Sequence, residues 1–289
     1  MTGAAVVLAF TSALCFGVAL VLTHIGLRYI PPLSGAAISI PSSTLLFIAI
    51  APIVLGGRPI IWAAVPIYAA VGLLYPAAVT LLTFAANRAL GPVITSALGN
   101  LAPLFAVGFA VVILGEPLIF AHIGGLLVTV AGVVILSMTR GREGIAHWRS
   151  WALLLPLVAA AVRGFIQPSV KVGLVIWPSP FAAVLTSYIV SSLIIVGASR
   201  LQSGRFLAIA PLRGHLWFVL IGVLNGLAVL LLYAALANGP VALVAPLVAT
   251  YPLVTIVGSK LLQGKIEGGP GLAIGVALTV LGVVLLLAG

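Results

Sequence analysis

The chain has 289 residues, of which 63% are hydrophobic and 6% are charged, and its formal net charge is +10. Soluble domains carry about 25% charged residues, so this composition excludes a surface that faces water over most of the molecule. The basic residues stand singly or in threes between apolar runs without interleaved aromatic residues, which argues against a nucleic-acid-binding surface.

Runs of about 20 apolar residues recur along the chain, and each is long enough to cross a bilayer core of roughly 30 Å as a helix. Glycine, proline and charged residues separate these runs. In chain order, the predicted helices are 4–24, 33–55, 61–86, 92–114, 118–138, 151–171, 180–198, 216–237, 241–262 and 270–288. The sequence therefore predicts an all-α membrane protein with ten transmembrane helices.

The first predicted helix is expected to remain in the protein, because no charged segment precedes it and no small-residue cleavage site follows it. Its Cys15 is the only cysteine of the chain. A single cysteine excludes a disulfide framework and a cysteine metal site. We expect no metal and no cofactor.

The longest polar connection, TRGREGIAHWRS at residues 139–150, falls near the midpoint and separates residues 1–138 from 151–289. The two parts contain similar segments, as expected for an internal repeat. These segments pair 16–32 with 163–179, 84–105 with 233–254, and 124–136 with 274–286. Five helices per repeat is an odd number, so the second repeat enters the membrane inverted. Inverted repeats place a substrate site near the bilayer midplane between them.

Several of these segments resemble a known family. FAANRALGPV and YAALANGPVA share an aromatic-Ala-Ala and Gly-Pro pattern, each is followed by a mid-helix proline, and LGEPL precedes GGLLVTVAGVVIL. The whole chain resembles the EamA-type family of the drug/metabolite transporter superfamily. This resemblance implies an inner-membrane carrier, and many such carriers export amino acids, nucleosides or other small metabolites.

The chain departs from the family pattern in two places. The family often has Glu after the Leu-Gly that ends the fourth and ninth helices, and here Glu116 follows this pattern whereas Lys265 does not. The family commonly has Trp near the middle of the first and sixth helices, where this chain has Phe16 and Arg163. A relative's substrate therefore does not transfer directly to this chain.

Basic residues are distributed unequally between the two predicted sides of the membrane. One side has only Arg58 and Lys171, and the other has Arg28, Arg88, Arg140, Arg142, Arg149, Arg200, Arg205, Arg213 and Lys265. The positive-inside rule places the second set in the cytoplasm and both termini outside, whereas the family resemblance implies cytoplasmic termini. We follow the charge distribution.

Arg163 is predicted to lie near the bilayer midplane, since it follows Trp151 by about 12 residues, or roughly 18 Å of helix. A charge at this depth costs at least ~2.5–3.5 kcal/mol and therefore faces a cavity or a partner. Gln167 and Lys171 share its helical face. We predict that this face lines the substrate pathway and that Arg163 binds a carboxylate or phosphate of the cargo. The alternative is that Arg163 snorkels toward the membrane surface or bonds backbone carbonyls of a kinked helix.

Other polar residues inside apolar helices are further candidates for the pathway, because buried polar groups need partners. These candidates are Asn100, Asn225, Tyr75, Tyr251 and Lys260. The amides have the alternative of bonding a helix carbonyl, and Lys260 has the alternative of an interfacial position. Lys171 and its repeat counterpart His24 are expected to reach the headgroups from helix ends. Pro103, Pro168 and Pro252 are predicted hinges or kinks.

The chain shows no nucleotide-binding motif and no arrangement of catalytic residues, so we expect that it is not an enzyme. The sequence predicts a secondary transporter, either an exporter or an exchanger, that moves a small polar metabolite across a bacterial-type plasma membrane by alternating access. The oligomeric state is open between monomer and homodimer. The alternatives are a flippase for an anionic lipid or lipid-linked sugar and a membrane-embedded lipid-modifying enzyme.

Overall fold

A computed structural model describes residues 3–57, 59–83, 85–86, 98–117, 120–139, 150–203, 211–251, 253–254, 257–258 and 270–288. In these ranges the regular secondary structure is helical. The helices are α1 (Gly3–Gly26), α2 (Pro32–Leu55), α3 (Val65–Gly72), α4 (Ala102–Leu114), α5 (Phe120–Thr139), α6 (Leu154–Ile176), α7 (Pro180–Ser203), α8 (Leu212–Asn238), α9 (Val241–Val248) and α10 (Pro270–Ala288). A 3-10 turn at Trp62–Ala64 precedes α3, a π-helical turn at Leu73–Ala78 follows it, and another 3-10 turn at Ser150–Leu153 precedes α6.

Six helical segments in the described part of the chain are long and apolar enough to cross a bilayer. They are Gly3–Thr23, Pro32–Leu55, Trp62–Thr83, Trp151–Ile176, Pro180–Gln202 and Leu212–Asn238. Ala102–Leu114, His122–Ile135 and Ala273–Leu287 are shorter apolar helices. The prediction of a multi-pass helical membrane protein is confirmed. The arrangement of ten spans as two inverted repeats stays a prediction.

The sixth predicted helix continues beyond its expected end at Lys171. Helix α6 reaches Ile176 and stops at Trp177, whose backbone is extended (φ −127°, ψ 95°). The physical reason is Pro178, because a proline disfavours helical conformation in the residue before it. Lys171 therefore lies inside the helix and not at its end.

The helical path is interrupted at two points that the repeat alignment pairs with each other. A helical stretch ends at Gly99, Asn100 and Leu101 form a turn, and α4 begins at Ala102 with Pro103 in its first turn. In the other half, α9 ends at Val248 and a turn at Ala249–Thr250 precedes Tyr251. Non-helical backbone at membrane depth is tolerated where it is buried in protein or lines a cavity. Both interruptions therefore point to a polar interior.

A third irregularity lies beyond α3. Within the π-helical turn, Tyr75 has non-helical backbone angles (φ −137°, ψ 130°) and precedes Pro76. In α6, by contrast, Pro168 lies inside a helix that continues on both sides. Pro252, the third predicted hinge or kink, lies outside the described residues.

The closest helix pairs join the first half of the chain to the second. Helix α1 packs along α8, α5 along α10, α4 along α6, and α2 against both α7 and α8. Glycine allows the α5–α10 approach, because a Cβ at Gly132 would lie 2.8 Å from the Gly275 carbonyl oxygen and 2.6 Å from the Thr279 hydroxyl. Gly124, on the same helix as Gly132, has open space around it. The two halves are thus interlocked.

Hydroxyl groups connect the packed helices to each other. Five buried side chains donate to a carbonyl of another helix: Ser12 to Ala228 (2.7 Å), Ser43 to Gly222 (2.7 Å), Thr44 to Tyr188 (3.0 Å), Ser187 to Tyr68 (3.0 Å) and Ser191 to Gly72 (2.6 Å). Each bond satisfies a hydroxyl that apolar surroundings would otherwise penalise. These bonds hold α2, α3, α7 and α8 around the centre of the molecule.

Candidate functional site

The centre of the bundle contains a cavity of about 350 Å³. Its walls come from α1, α2, the turns at Tyr75 and Asn100, and helices α6 to α9. Both halves of the chain therefore contribute to it. Small-molecule sites typically occupy about 300–1,000 Å³, so this cavity has room for a small metabolite.

Most of the predicted pathway residues line this one cavity. They are Arg163, Gln167, Asn100, Asn225, Tyr75 and Tyr251, and Pro103 lies beside them. Lys260 lies outside the described residues, and Pro168 is buried in α6 away from the lining. The structure brings these side chains together, and their role in transport stays a prediction.

Arg163 is half-buried near the middle of α6. A Cβ at Gly99 would lie 3.9 Å from a guanidinium nitrogen, so Arg163 approaches the end of the helical stretch before α4. Tyr75 and Tyr251 line the same cavity as the guanidinium. Within the described ranges the guanidinium makes no ion pair and no hydrogen bond. None of its five N–H donors bonds a described residue, and Arg163 lines the cavity, so these donors are available to a ligand there.

Gln167 lies one helical turn beyond Arg163 on the same face of α6. Its amide oxygen is buried and has no hydrogen-bond partner among the described residues. A buried acceptor without a partner costs about 1–3 kcal/mol. Gln167 therefore favours an occupant of the cavity that donates a hydrogen bond.

Asn100 and Tyr251 join the two helix interruptions. The Tyr251 hydroxyl donates to the Asn100 side-chain oxygen at 3.0 Å, and Asn100 is 4% exposed. Asn100 is thereby held by a side chain from the other half. Asn225 lies half-buried on α8, next to Gly226, which packs closely against Ser43 of α2. Asn225 borders the cavity from α8.

Most of the remaining lining is apolar or aromatic, including Phe16, Ile40, Tyr188, Phe218 and Val248. Phe16 occupies the position where the resembled family commonly has Trp. An apolar wall with a few converging polar groups is the usual composition of a small-molecule site. The composition suits a cargo with a polar or charged head and an apolar part.

The cavity extends toward one end of the bundle. Its lining includes Leu27 and Pro32 at the α1–α2 turn, Thr83 beyond α3, and Phe218 near the start of α8. We call this end the basic face, because Arg28, Arg200 and Arg213 lie at helix ends there. The other end, marked by the start of α1, is the N-terminal face; Gly239 packs there, since its Cβ would lie 2.7 Å from that of Ala5.

At the N-terminal face a charged cluster closes the bundle. The Lys171 ammonium lies 2.7 Å from the Glu116 carboxylate and donates to the Gly239 carbonyl at 2.8 Å. The carboxylate accepts the backbone N–H groups of Val241 (3.0 Å) and Ala242 (3.3 Å) at the start of α9. Glu116 therefore occupies the positive end of α9.

This cluster corrects the prediction that Lys171 reaches the lipid headgroups. The Lys171 and Glu116 side chains are 24% and 11% exposed, and they pair with each other. The sequence contained two signals for this pair. Glu116 follows a glycine at the end of a helix, and the predicted topology places Lys171 on the same side of the membrane as Glu116. Gly115 adopts a left-handed conformation (φ 64°), which ends α4 and turns the chain toward α6 and α9.

The fold is that of a multi-pass helical membrane protein, and its central cavity has room for a small molecule. Comparison with known families gives its class: residues 3–138 match the EamA-like transporter family, which lies in the drug/metabolite transporter superfamily. The predicted family is thereby matched over the first half of the chain. Together with the multi-pass helical fold, this match supports a membrane transporter of the drug/metabolite type.

The fold comparison extends over both halves. A solved structure titled "Crystal structure of protein" is similar with a TM-score of 0.76 and 22% sequence identity, covering 99% of this chain and 98% of its own. At this identity the similarity concerns the fold alone. No curated protein sequence matches the chain.

Proposed function

We propose that this protein is a secondary transporter that exports a small metabolite carrying a carboxylate or phosphate, by alternating access across the plasma membrane. The observation that supports this proposal is the guanidinium of Arg163 at the cavity, with no described residue paired to it. Arginine binds planar anions through two parallel hydrogen bonds. The cargo's anionic group takes the place of a protein counter-ion.

The distribution of acidic residues supports an anionic cargo. The whole chain contains Glu116, Glu143 and Glu267. Glu116 is engaged by Lys171 at the N-terminal face, and the other two belong by sequence to the polar connections. An unneutralised charge near the bilayer centre costs at least ~2.5–3.5 kcal/mol, so an anion that enters the cavity gains a favourable partner.

The position of the cavity supports export. The cavity extends to the basic face, and the positive-inside rule places that face in the cytoplasm. Cargo then loads from the cytoplasm and leaves at the N-terminal face. An anion that leaves a negatively charged cell interior gains about 2.3 kcal/mol per charge for each 100 mV. Export of an anion therefore proceeds without ATP and without a proton-carrying carboxylate.

The proposal is tested by measuring the melting temperature of detergent-purified protein with a panel of carboxylates, phosphates and neutral analogues. A compound at 100 times its Kd stabilises the folded protein by about 2.7 kcal/mol. We expect an anion, but not its neutral amide or alcohol, to raise the Tm of the wild type. Arg163→Leu should abolish this shift, and Arg163→Lys should retain part of it, because lysine keeps the charge without the two-pronged geometry.

Two results would contradict the proposal. An anion that stabilises Arg163→Leu as strongly as the wild type would show that the guanidinium does not bind it. Stabilisation by lipid extracts, with none by soluble anions, would assign the site to a lipid headgroup and favour the flippase. The Asn225→Leu variant is a control for general damage to the cavity, because it changes the lining without removing charge.

A further inference from the structure

The charged cluster at the N-terminal face joins three segments of the chain. Glu116 follows α4, Lys171 belongs to α6, and Val241 and Ala242 begin α9. Val241 to Leu247 are nearly inaccessible, and Ala245 and Val248 form part of the cavity wall. Separating the start of α9 from α4 and α6, as an opening of the cavity toward this face would do, breaks both bonds from the α9 N-terminus to Glu116 and the bond from Lys171 to the Gly239 carbonyl.

The repeat alignment identifies the corresponding positions at the basic face. The pairing of 16–32 with 163–179 aligns His24 with Lys171, and the pairing of Gly115 with Gly264 aligns Lys265 with Glu116. In an inverted repeat, these two residues serve the opposite face of the membrane. Both are basic types, so the same pair of positions cannot supply an ion pair there.

We propose that Glu116 and Lys171 form a one-sided lock, which makes the conformation open to the basic face the resting state of the transporter. The proposal rests on alternating access and does not depend on the cargo. The lock is present in the conformation closed at the N-terminal face, and these positions provide no equivalent in the opposite one. A transporter built from two inverted repeats thereby acquires a preferred conformation from a charge difference at one aligned position.

The expected size of the effect follows from the number of contacts that are lost. The charge-assisted bond from Lys171 to the Gly239 carbonyl and the two bonds from the α9 N-terminus to Glu116 each favour the conformation that is closed at the N-terminal face. Removing the charge of one partner should shift the ratio of the two conformations by about tenfold or more toward the one open at the N-terminal face.

Thiol labelling of the purified transporter measures this ratio. Cys15→Ser provides a cysteine-free chain, to which single reporters are added. Ser39→Cys reports the part of the cavity near the basic face, and Val244→Cys reports the buried wall in α9, where Val244 is 0% exposed. In this background, a polar thiol reagent should label the cysteine at position 39 quickly and the cysteine at position 244 slowly. Lys171→Gln should accelerate labelling at position 244 and slow it at position 39, whereas Lys171→Arg should leave both rates near those of the parent.

A gain of function separates a lock from a purely structural ion pair. Lys265→Glu restores a carboxylate at the aligned position, so it should slow labelling at position 39 about tenfold relative to Lys265→Gln, which removes only the charge. Glu267 is the nearest acidic residue by sequence, and Glu267→Gln should leave the labelling rate unchanged.

Three outcomes would overturn the proposal. The first is unchanged labelling in Lys171→Gln, with folding verified by gel filtration and Tm. The second is identical labelling in Lys265→Glu and Lys265→Gln. The third is faster labelling at position 39 when Glu267 is neutralised, because Glu267 would then hold the basic face closed in place of the missing pair. No cargo is needed for labelling, so a wrong assignment of the cargo leaves these results intact.

Discussion

Two tyrosines of the cavity differ in one respect that bears on stability. Tyr251 donates its hydroxyl to Asn100, a nearly inaccessible side chain from the other half. Tyr75 lies beside the same cavity without a hydrogen bond to any described residue. The first hydroxyl connects two segments of the chain, whereas the second is available to water or cargo.

We therefore expect Tyr251→Phe to lower the free energy of unfolding by about 0.6–1 kcal/mol, since this is the usual contribution of one hydrogen bond between membrane helices. Tyr75→Phe should cause a smaller loss. Reversible unfolding of both variants in mixed micelles measures the difference. Equal losses would show that the hydroxyl–amide bond contributes nothing specific.

For single residues, the sequence was more informative about the cavity than about the charged cluster. Arg163, Asn100 and Asn225 were identified because a polar residue within an apolar run is visible without knowledge of packing. The Glu116–Lys171 pair joins residues 55 positions apart, and its formation depends on how α4, α6 and α9 meet. Lys171 was also placed at a helix end, which made a headgroup position appear favourable.

The close packing of α5 against α10 depends on glycine positions that have no side chain. Gly132 lies against the backbone of α10 near Gly275 and Thr279, and Gly125 lies equally close to Leu286. On the same helix, Gly124 has no heavy atom within 4 Å of a Cβ placed on it. Substitutions at Gly132 and Gly124 are therefore a matched pair.

Gly132→Leu should destabilise the protein by about 1–3 kcal/mol, because the added side chain forces two closely packed helices apart. Gly124→Leu should have little effect, since the new side chain projects into open space. Tm values of the two purified variants, compared with that of the wild type, provide the measurement. A loss of stability in Gly124→Leu that equals that in Gly132→Leu would contradict the packing observed.

The sequence predicted the starts of helices better than the interruptions within them. The starts of α2, α7 and α10 lie within one residue of their predicted positions, because proline precedes or begins each of them. The turns at Asn100–Leu101 and Ala249–Thr250 fall inside continuous apolar runs. Periodicity alone does not mark these turns; the signal lies in Pro103 and Pro252, predicted as hinges or kinks, which follow the turns by two residues in the sequence.

For the molecule as a whole, the orientation in the membrane determines whether the cavity reaches the cytoplasmic or the outer side. Arg28, Arg200 and Arg213 lie at the face that the cavity reaches. The positive-inside rule places this face in the cytoplasm and the two termini outside. A C-terminal enzyme reporter that matures only in the periplasm should therefore be active. Fluorescence from a C-terminal reporter that folds only in the cytoplasm would reverse the orientation and the proposed direction of transport.

The hydroxyl–carbonyl bonds that tie α2, α3, α7 and α8 together carry no net charge. A transmembrane voltage exerts force on charges and leaves neutral bonds of this kind almost untouched. The helices are thus held together by neutral hydrogen bonds, whereas a few charged groups respond to the membrane voltage. These groups include Arg163 and the anionic cargo that it is proposed to bind. The membrane voltage can then drive the anionic cargo across the membrane without weakening the hydrogen bonds between the surrounding helices.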